Sequence, residues 1–262
     1  NPPTNYFGTS DDKDIVFKRN AQKSGILGIN LTSFGFQSLS ANSSGTHNTA
    51  IGSNALNKNT TGYQNVSIGS YSLANNTSGN QNSATGTYSL NQNTSGNLNS
   101  TLGTYSLNQN TTGSQNSAIG SGALQFNTTG YQNTAIGSYS LKQNISGLFN
   151  TAIGSYASAN LTTGSYNTVV GYNSGTGLTE GSNNTIIGAR VSGLAAGVSN
   201  SIILADGSGN QRIFVNDAGN VGIGTTNLTA NLKLQVNGNI YSNGKILINS
   251  DLSHSGNYAL SV

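Results

Sequence analysis

The sequence predicts an all-β solenoid, in which short strands and turns wind into stacked coils. A first glycine column recurs at every 17th residue from Gly35 to Gly188, and a second does so from Gly45 to Gly181, without insertion or deletion. A fixed period of this size is the sequence signature of a repeat architecture. Only 6% of the 262 residues are charged and 34% are hydrophobic. These few apolar residues are too sparse for a conventional globular core. Their regular repetition predicts an ordered repeat protein instead.

Residues 1–30 differ from the repeats and are predicted to form an N-terminal β cap. Short strands are expected at 14–18 and 25–28. The terminal unit of a solenoid needs a different outer face to protect the first core layer and to stop end-to-end growth, so a cap is favoured over a separate binding module. The charged residues of this segment are Asp11, Asp12, Lys13, Asp14, Lys18, Arg19 and Lys23.

Residues 31–204 hold the 17-residue repeats, each predicted to be one coil with two short strands. In the coil at 133–149, Asn-Thr-Ala-Ile-Gly forms the first strand, Ser-Leu starts the second, and a turn follows whose glycine takes positive φ. Two glycines per coil and an excess of Asn, Ser and Thr argue against helix. The first-column glycines interpreted as turn residues include Gly52, Gly69, Gly86, Gly103, Gly120, Gly137 and Gly154.

Two apolar columns are predicted to form the core of the stacked coils. The first immediately precedes the first glycine column and contains Ile51, Ile68, Leu102, Ile119, Ile136, Ile153, Val170 and Ile187. The second lies four residues after that glycine and contains Leu56, Leu73, Leu90, Leu107, Leu124 and Leu141. Small residues occur one position before the isoleucines, and strand alternation places them on the opposite face. These small residues are Ala50, Ser67, Ala84, Ala118, Ala135 and Ala152.

Two apolar residues per coil make a thin core, because the hydrophobic gain must offset the conformational entropy of 17 ordered residues. We therefore predict an obligate homo-oligomer, in which the small-residue face packs against identical chains and completes the core.

Residues 205–248 follow a different pattern and are predicted to form a β-rich neck. A strand is expected at 212–215, and Asn-Gly pairs at 237–238 and 243–244 predict hairpins. The remaining residues, 249–262, are polar and are interpreted as a peripheral tail.

The sequence offers little material for catalysis, so we predict a protein that is not an enzyme and needs no cofactor or metal. Cysteine is absent, and the two histidines, His47 and His254, show no metal-ligand spacing. The acidic residues form no pair inside the repeats, which disfavours a polysaccharide-degrading β-helix. The segment from Asp206 to Asn210 has some features of a calcium loop, but a plain turn is favoured because further acidic ligands are missing.

Nucleic acid and membrane are not expected partners. The formal net charge of +3 is small, and no basic run interleaves with aromatic residues. No stretch approaches the roughly 18 apolar residues of a membrane helix, so direct membrane insertion is not expected.

One tyrosine column, two residues after the first glycine, is the candidate binding surface. Exposed rings stacked along a rod can contact sugar faces or membranes. The structural alternative, which is favoured, is a ladder that stabilises coil stacking or lines a trimer groove. The column contains Tyr71, Tyr88, Tyr105, Tyr139 and Tyr156.

The repeat unit resembles a known adhesin module. Asn-Thr-Ala-Ile-Gly-Ser followed by Ser-Leu or Ala-Leu and by Asn-Thr-Thr-Gly is similar to the YadA-like head repeats of trimeric autotransporter adhesins. The resemblance covers about 155 of the 262 residues. It implies a left-handed parallel β-roll, a homotrimer around one axis and an extracellular attachment role.

The neck resembles a segment of other fibres. Residues 217–225, Asp-Ala-Gly-Asn-Val-Gly-Ile-Gly-Thr, and the later 232–240 are similar to the region that precedes an endosialidase-type intramolecular chaperone. That region occurs in phage tail fibres and related bacterial surface fibres. The resemblance implies a fibre protein of bacterial or phage origin.

The resulting hypothesis is a non-enzymatic extracellular trimeric fibre or adhesin on a bacterial surface or a virion. Its expected partners are two identical chains and a cell-surface glycan or protein receptor, with the β-roll as rigid shaft or head. One alternative is a phage tail-fibre shaft for host-receptor binding. A further alternative is an ice-binding solenoid, since regular threonine columns can match an ice lattice.

Overall fold

The computed structural model describes residues 13–243, which form a 16-stranded sheet whose strands follow one another in sequence order. Asp11, Asp12, Gly244, His254 and the predicted tail lie outside the described residues. The strands are β1 (Ile15–Arg19), β2 (Gln22–Leu27), β3 (Leu31–Phe34), β4 (Asn48–Ile51), β5 (Val66–Ile68), β6 (Ser83–Thr85), β7 (Ser100–Leu102), β8 (Ser117–Ile119), β9 (Thr134–Ile136), β10 (Thr151–Ile153), β11 (Thr168–Val170), β12 (Thr185–Ile187), β13 (Ile202–Ala205), β14 (Gln211–Val215), β15 (Val221–Ile223) and β16 (Leu234–Val236).

Strands β3 to β13 are parallel, and each pairs with the next in a register of 17 residues. Ile119 of β8, for example, lies opposite Ile136 of β9, which lies opposite Ile153 of β10. The prediction of a parallel β-solenoid with 17-residue coils is therefore confirmed.

Each coil contributes one strand, so the predicted second strand at Ser-Leu is wrong. The backbone there is left-handed, with φ of 57° at Tyr71 and 49° at Leu73. Neighbouring coils still exchange hydrogen bonds through these turns: Leu107 N donates to Ala123 O at 2.9 Å and Gln109 N to Gln125 O at 3.0 Å. The turns are thus stacked in register like the strands, and they satisfy the backbone groups that a strand would otherwise pair.

Of the two apolar columns predicted to form the core, one lies inside the coils and the other lies outside. The leucine column is confirmed, because its side chains are fully buried inside the coils. The isoleucine column is wrong: Ile119 is 40% exposed, whereas its neighbour Ala118 is 0% exposed. Strand alternation separates the two columns onto opposite faces but does not say which face points inward. The outward members are Ile51, Ile68, Leu102, Ile119, Ile136, Ile153 and Ile187, which are exposed, and Val170, which is half-buried.

The narrow interior explains this arrangement. Alanine on the strand and leucine on the opposite turn together fill one coil, so a strand isoleucine facing inward there would overpack it. In the last coils the leucine column holds Ser158 and Gly175, and the inward strand positions grow to Val169 and Ile186, both buried. Val169 thus occurs in the coil whose leucine column has shrunk to Gly175, whereas the coil of Ser158 keeps Ala152 and buries Leu161 instead.

Two asparagine ladders also lie in the interior. In the first, each Nδ2 donates to the Oδ1 one coil earlier at 2.9–3.2 Å. In the second, the corresponding distance is 2.7–2.8 Å. Both ladders also donate to glycine carbonyls, as in Asn116 Nδ2 to Gly130 O at 2.9 Å. Hydrogen-bonded amides, all satisfied except Asn144 Oδ1, therefore fill interior space that apolar side chains fill in ordinary cores. The first ladder contains Asn48, Asn65, Asn82, Asn99, Asn116, Asn133, Asn150, Asn167 and Asn184, and the second contains Asn42, Asn59, Asn76, Asn93, Asn110, Asn127 and Asn144.

Both glycine columns lie where successive coils approach too closely for a side chain, and the first column also has positive φ. First-column glycines have positive φ, as in Gly120 at 128°, which confirms their assignment as turn residues. Second-column glycines do not, so the predicted positive φ is wrong there. A Cβ on Gly113 would lie 2.3 Å from Asn110 Oδ1 and 2.4 Å from Gly130 O. Glycine is required at this position because successive coils approach too closely for a side chain.

Antiparallel strands close both ends of the described solenoid. β1 pairs with β2, and β2 with β3, so the predicted N-terminal strands form a hairpin next to the first coil. Lys23 Nζ donates to Leu39 O at 3.0 Å, and its burial lowers the pKa of the ammonium group, while the charge of Asp14 raises it.

At the other end, β13, β14 and β15 are antiparallel, while β16 pairs with β15 in parallel. The pair Asn237-Gly238 directly follows β16 and joins no second strand within residues 13–243, so the hairpin predicted there is wrong. Turns at 206–210 and 216–220 make the hairpin connections instead.

Candidate functional site

One row of outward apolar side chains crosses the sheet from the first repeat strand into the neck. Residues paired across neighbouring strands share a face, and the pairing continues from Ile187 through Leu204, Ile213 and Ile223 to Val236. We call this set the apolar row; apart from Thr85, its members are apolar. It contains Phe34, Ile51, Ile68, Thr85, Leu102, Ile119, Ile136, Ile153, Val170, Ile187, Leu204, Ile213, Ile223 and Val236.

The apolar row reaches the N-terminal hairpin through Gly25. This glycine pairs with Phe34 on one side and with Phe17 on the other. The two phenyl rings meet across it, with centroids 5.7 Å apart. A Cβ on Gly25 would lie 3.3 Å from the Phe17 ring and 3.4 Å from the Phe34 ring. The cap therefore extends the same apolar surface.

A second outward row runs beside the first, two residues earlier in each strand. We call it the hydroxyl row, because all but one of its members carry a hydroxyl group. Small hydroxyl side chains next to branched apolar ones leave a flat strand face that another surface can approach closely. A contiguous apolar surface of this kind usually marks an interaction site. The hydroxyl row contains Thr49, Val66, Ser83, Ser100, Ser117, Thr134, Thr151, Thr168 and Thr185.

The tyrosine column is brought together in two groups. The ring centroids of Tyr71 and Tyr88 are 5.0 Å apart, and those of Tyr88 and Tyr105 are 5.2 Å apart, with the rings within 5° of parallel. Tyr139 and Tyr156 are also 5.2 Å apart but tilted by 33°. Stacked rings cover each other's faces and present their edges to solvent, whereas a sugar ring packs on an open face. Most of the column therefore supports coil stacking.

A second aromatic cluster was missed by the sequence analysis. Phe149 stacks on Tyr166 with ring centroids 4.8 Å apart, and Tyr131 and Phe149 form a T-shaped pair with centroids 5.3 Å apart. Tyr131 directly follows a glycine of the second column, whereas Phe149 and Tyr166 each lie two residues after such a glycine. The cluster joins two columns, so a search within single columns does not find it.

Lys142 forms a third feature that the sequence analysis did not identify as a site. Its Nζ lies 4.9 Å from the centroid of the Tyr139 ring and 5.8 Å from that of Phe126. Both distances are within the range of a cation–π interaction. The nearest signal in the sequence is that Lys142 is one of two charged residues between Lys23 and Glu180.

The segment from Asp206 to Asn210 is a plain turn. The Asp206 carboxylate accepts hydrogen bonds from Ser208 N at 2.9 Å and Asn210 N at 3.0 Å, and it forms an ion pair with Arg212. The Asn210 side chain, followed by Arg212 and the two backbone donors, holds the pKa of this carboxyl well below its usual range. The Asp206 carboxylate thus has protein hydrogen-bond donors and a positively charged partner, as expected for a plain turn. Within residues 13–243, no group of three His, Cys, Asp or Glu side chains is arranged to hold a metal ion.

The part of the chain that the structure describes contains no helix long and apolar enough to cross a membrane. Comparisons of the chain with protein-family models, with curated proteins and with solved structures found no match.

Proposed function

We propose that this chain is a non-enzymatic, extracellular, homotrimeric fibre that acts in attachment to a surface or receptor. The observation that carries the proposal is the apolar row, which continues across both ends of the repeats. Cap and neck thus share one outward surface with the rod, as expected if all three take part in the same assembly.

A second copy of the chain is the partner that fits this surface. The row repeats with the spacing of the coils, so a partner can follow it over its full length only with the same spacing. A second copy of this chain necessarily has the same coil spacing. The small strand residues, which the sequence predicts at the interface between chains, fill the coil interior instead. The chains therefore meet through the apolar and hydroxyl rows. The resemblance to the head repeats of trimeric adhesins implies that three copies assemble.

The attachment role rests on the resemblance and on the chemistry of the repeats. Between Lys23 and Glu180 the sequence contains no carboxylate side chain and no cysteine. Such a rod is suited to hold a receptor-binding part at a distance. The proposed location is a bacterial surface or a virion, and the proposed receptor is a cell-surface glycan or protein.

Sedimentation equilibrium and a cell-binding assay test the two parts of the proposal. We expect a mass of three chains and saturable binding of labelled protein to some members of a panel of bacterial and animal cells. A stable folded single chain would refute the assembly. Binding that does not saturate, and that unlabelled protein does not reduce, would refute the attachment role. The phage tail-fibre alternative predicts that the bacterial cells alone are bound.

An ice-binding solenoid is the second candidate, and one specific observation favours it. In β9 to β12 threonine alternates with an outward Ile or Val on a flat parallel face, as in Thr134 with Ile136 and Thr151 with Ile153. Thermal hysteresis of the purified protein, abolished by Thr151→Lys, would support this function. Absence of hysteresis at millimolar concentration would exclude it.

A further inference from the structure

Three departures from the repeat meet at one place on the rod. The tyrosine column has a glycine at Gly122, and a column that otherwise holds mainly Asn and Gln has an aromatic residue at Phe126. In the next coil, Lys142 occupies a position where earlier coils have Asn91 and Asn108. Three exceptions that coincide in two adjacent coils indicate a local requirement that the repeat itself does not impose.

Gly122 leaves a gap in the stack of tyrosine rings. Its φ of 63° is close to the 57° of Tyr71 and Tyr105, so the backbone is the one that carries tyrosine elsewhere. Tyr105 stacks on Tyr88 with one face, and its other face is directed toward the coil of Gly122. Two coil steps of about 5 Å separate Tyr105 from Tyr139, which gives about 10 Å between the ring positions. A ring in van der Waals contact with both sides needs about 7–8 Å.

Tyr139 fills part of this gap. A Cβ on Gly122 would lie 2.6 Å from two carbon atoms of the Tyr139 ring, so the ring leans over the glycine. Tyr139 is also tilted by 33° relative to Tyr156. A side-chain rotation that makes these two rings parallel, as in the pair Tyr71 and Tyr88, would open the gap without moving the backbone.

Charge and amide groups lie at the edge of the gap. Lys142 lies over the Tyr139 and Phe126 rings, and the repeats carry no acidic residue before Glu180 to neutralise it. Gln125 Oε1 would be 3.4 Å from a Cβ on Gly122, which places a side-chain amide at the same opening. The opening therefore combines aromatic faces, a hydrogen-bonding amide and an uncompensated positive charge.

We propose that this notch, formed by Tyr105, Gly122, Gln125, Tyr139 and Lys142, binds a pyranose that carries a carboxylate. The sugar ring lies between the Tyr105 and Tyr139 rings, which suits the apolar faces of a pyranose. Gln125 bonds to ring hydroxyls, and Lys142 forms a charge-assisted hydrogen bond with the carboxylate. The proposal rests on the attachment function and names the chemistry of one receptor group.

Saturation-transfer NMR and calorimetry with 3′-sialyllactose and with a digalacturonate test the site, with lactose as the neutral probe. We expect one or both acidic saccharides to bind the wild-type protein at least tenfold more tightly than lactose. Comparison of 3′-sialyllactose with the digalacturonate shows whether the bound carboxylate belongs to a sialic acid or to a uronic acid. Gly122→Tyr restores the column at a backbone already suited to tyrosine, and it should abolish binding by filling the gap.

Lys142→Asn, which restores the residue of earlier coils, should reduce the affinity for the acidic saccharides to that for lactose. Lys58→Gln removes the other isolated lysine of the repeats and should leave binding unchanged. Unchanged affinity in Gly122→Tyr, or no binding of either acidic saccharide by the wild-type protein, would overturn the proposal. If Gly122→Tyr still binds cells as the wild-type protein does, the attachment function stands and only this site fails.

Discussion

Asn133 directs two donors at the side-chain oxygen of Asn116, one coil earlier: its Nδ2 at 3.1 Å and its backbone N at 3.0 Å. Asn116 in turn makes the same two bonds to Asn99. Every member between the two ends of this ladder is therefore both donor and acceptor toward its neighbours, and polar contacts between coils hold the interior together.

Replacement of Asn116 by alanine should interrupt the ladder. The backbone N–H of Asn133 would lose its acceptor inside the rod, and an unsatisfied buried donor costs about 1–3 kcal/mol. We expect at least this loss in the free energy of unfolding, measured by urea denaturation. Gln109→Ala, at an exposed position of a neighbouring coil, is the control and should change stability by less than about 0.5 kcal/mol. Similar midpoints for the two variants would contradict a stabilising role of the ladder.

Gly113→Ala tests the close approach of coils at the second glycine column. The added Cβ would overlap Asn110 Oδ1 and Gly130 O, and overpacking of this kind costs about 1–3 kcal/mol or more. Gly197→Ala is the matched control, because a Cβ there meets nothing within 4 Å. Thermal unfolding followed by circular dichroism should show a lower Tm for Gly113→Ala alone. Equal Tm values would show that the coils can separate to admit a side chain.

Leu107 and Ile119 distinguish the core from the proposed interface. Leu107→Ala removes a fully buried side chain and should lower the free energy of unfolding by about 2–5 kcal/mol. Ile119→Asp changes an outward residue and should weaken association, so its effect on Tm should diminish as protein concentration rises. Tm measured over a hundredfold range of concentration checks this. A concentration-independent loss for Ile119→Asp would argue that the apolar row is not an interface.

Ser158 and Leu161 should be energetically coupled. This coil holds its leucine at Leu161, in the second asparagine column, and leaves Asn144 Oδ1 without a hydrogen-bond partner. Leu161→Asn supplies that partner but removes core volume, while Ser158→Leu alone overfills the coil. The double variant restores the pattern of earlier coils, so we expect a favourable coupling of about 0.5–3 kcal/mol in a double-mutant cycle. Additive effects would show that the two positions do not share the same space.

The 17-residue period and the leucine column could be predicted from the sequence, because both depend on spacing. The parallel strands were implied by the resemblance to adhesin head repeats. The orientation of the strand could not be predicted. Ile119 and Ala118 alternate in either case, and hydrophobicity favours the isoleucine as the inward residue. The deciding fact is the small width of the coil, which depends on how Leu124 and the asparagine ladders fill it and is not visible in a single repeat.

The candidate site was predicted only in part, for a similar reason. The tyrosine column follows from its spacing, but whether rings cover each other depends on side-chain geometry. Gly122 is visible in the sequence as a gap in the column. That Tyr139 leans over it, and that Lys142 and Phe126 lie beside it, depends on contacts between different columns of adjacent coils.

The asparagine ladders also bear on how such a chain can change over time. Because Asn65 to Asn150 present the same donors and acceptors to both neighbours, deletion or duplication of a whole 17-residue unit there would rejoin matching surfaces. Unequal recombination between repeats could therefore lengthen or shorten the rod in steps of about 4.8 Å. The coils after Leu161 lack the second ladder, so this freedom ends where the rod approaches its neck.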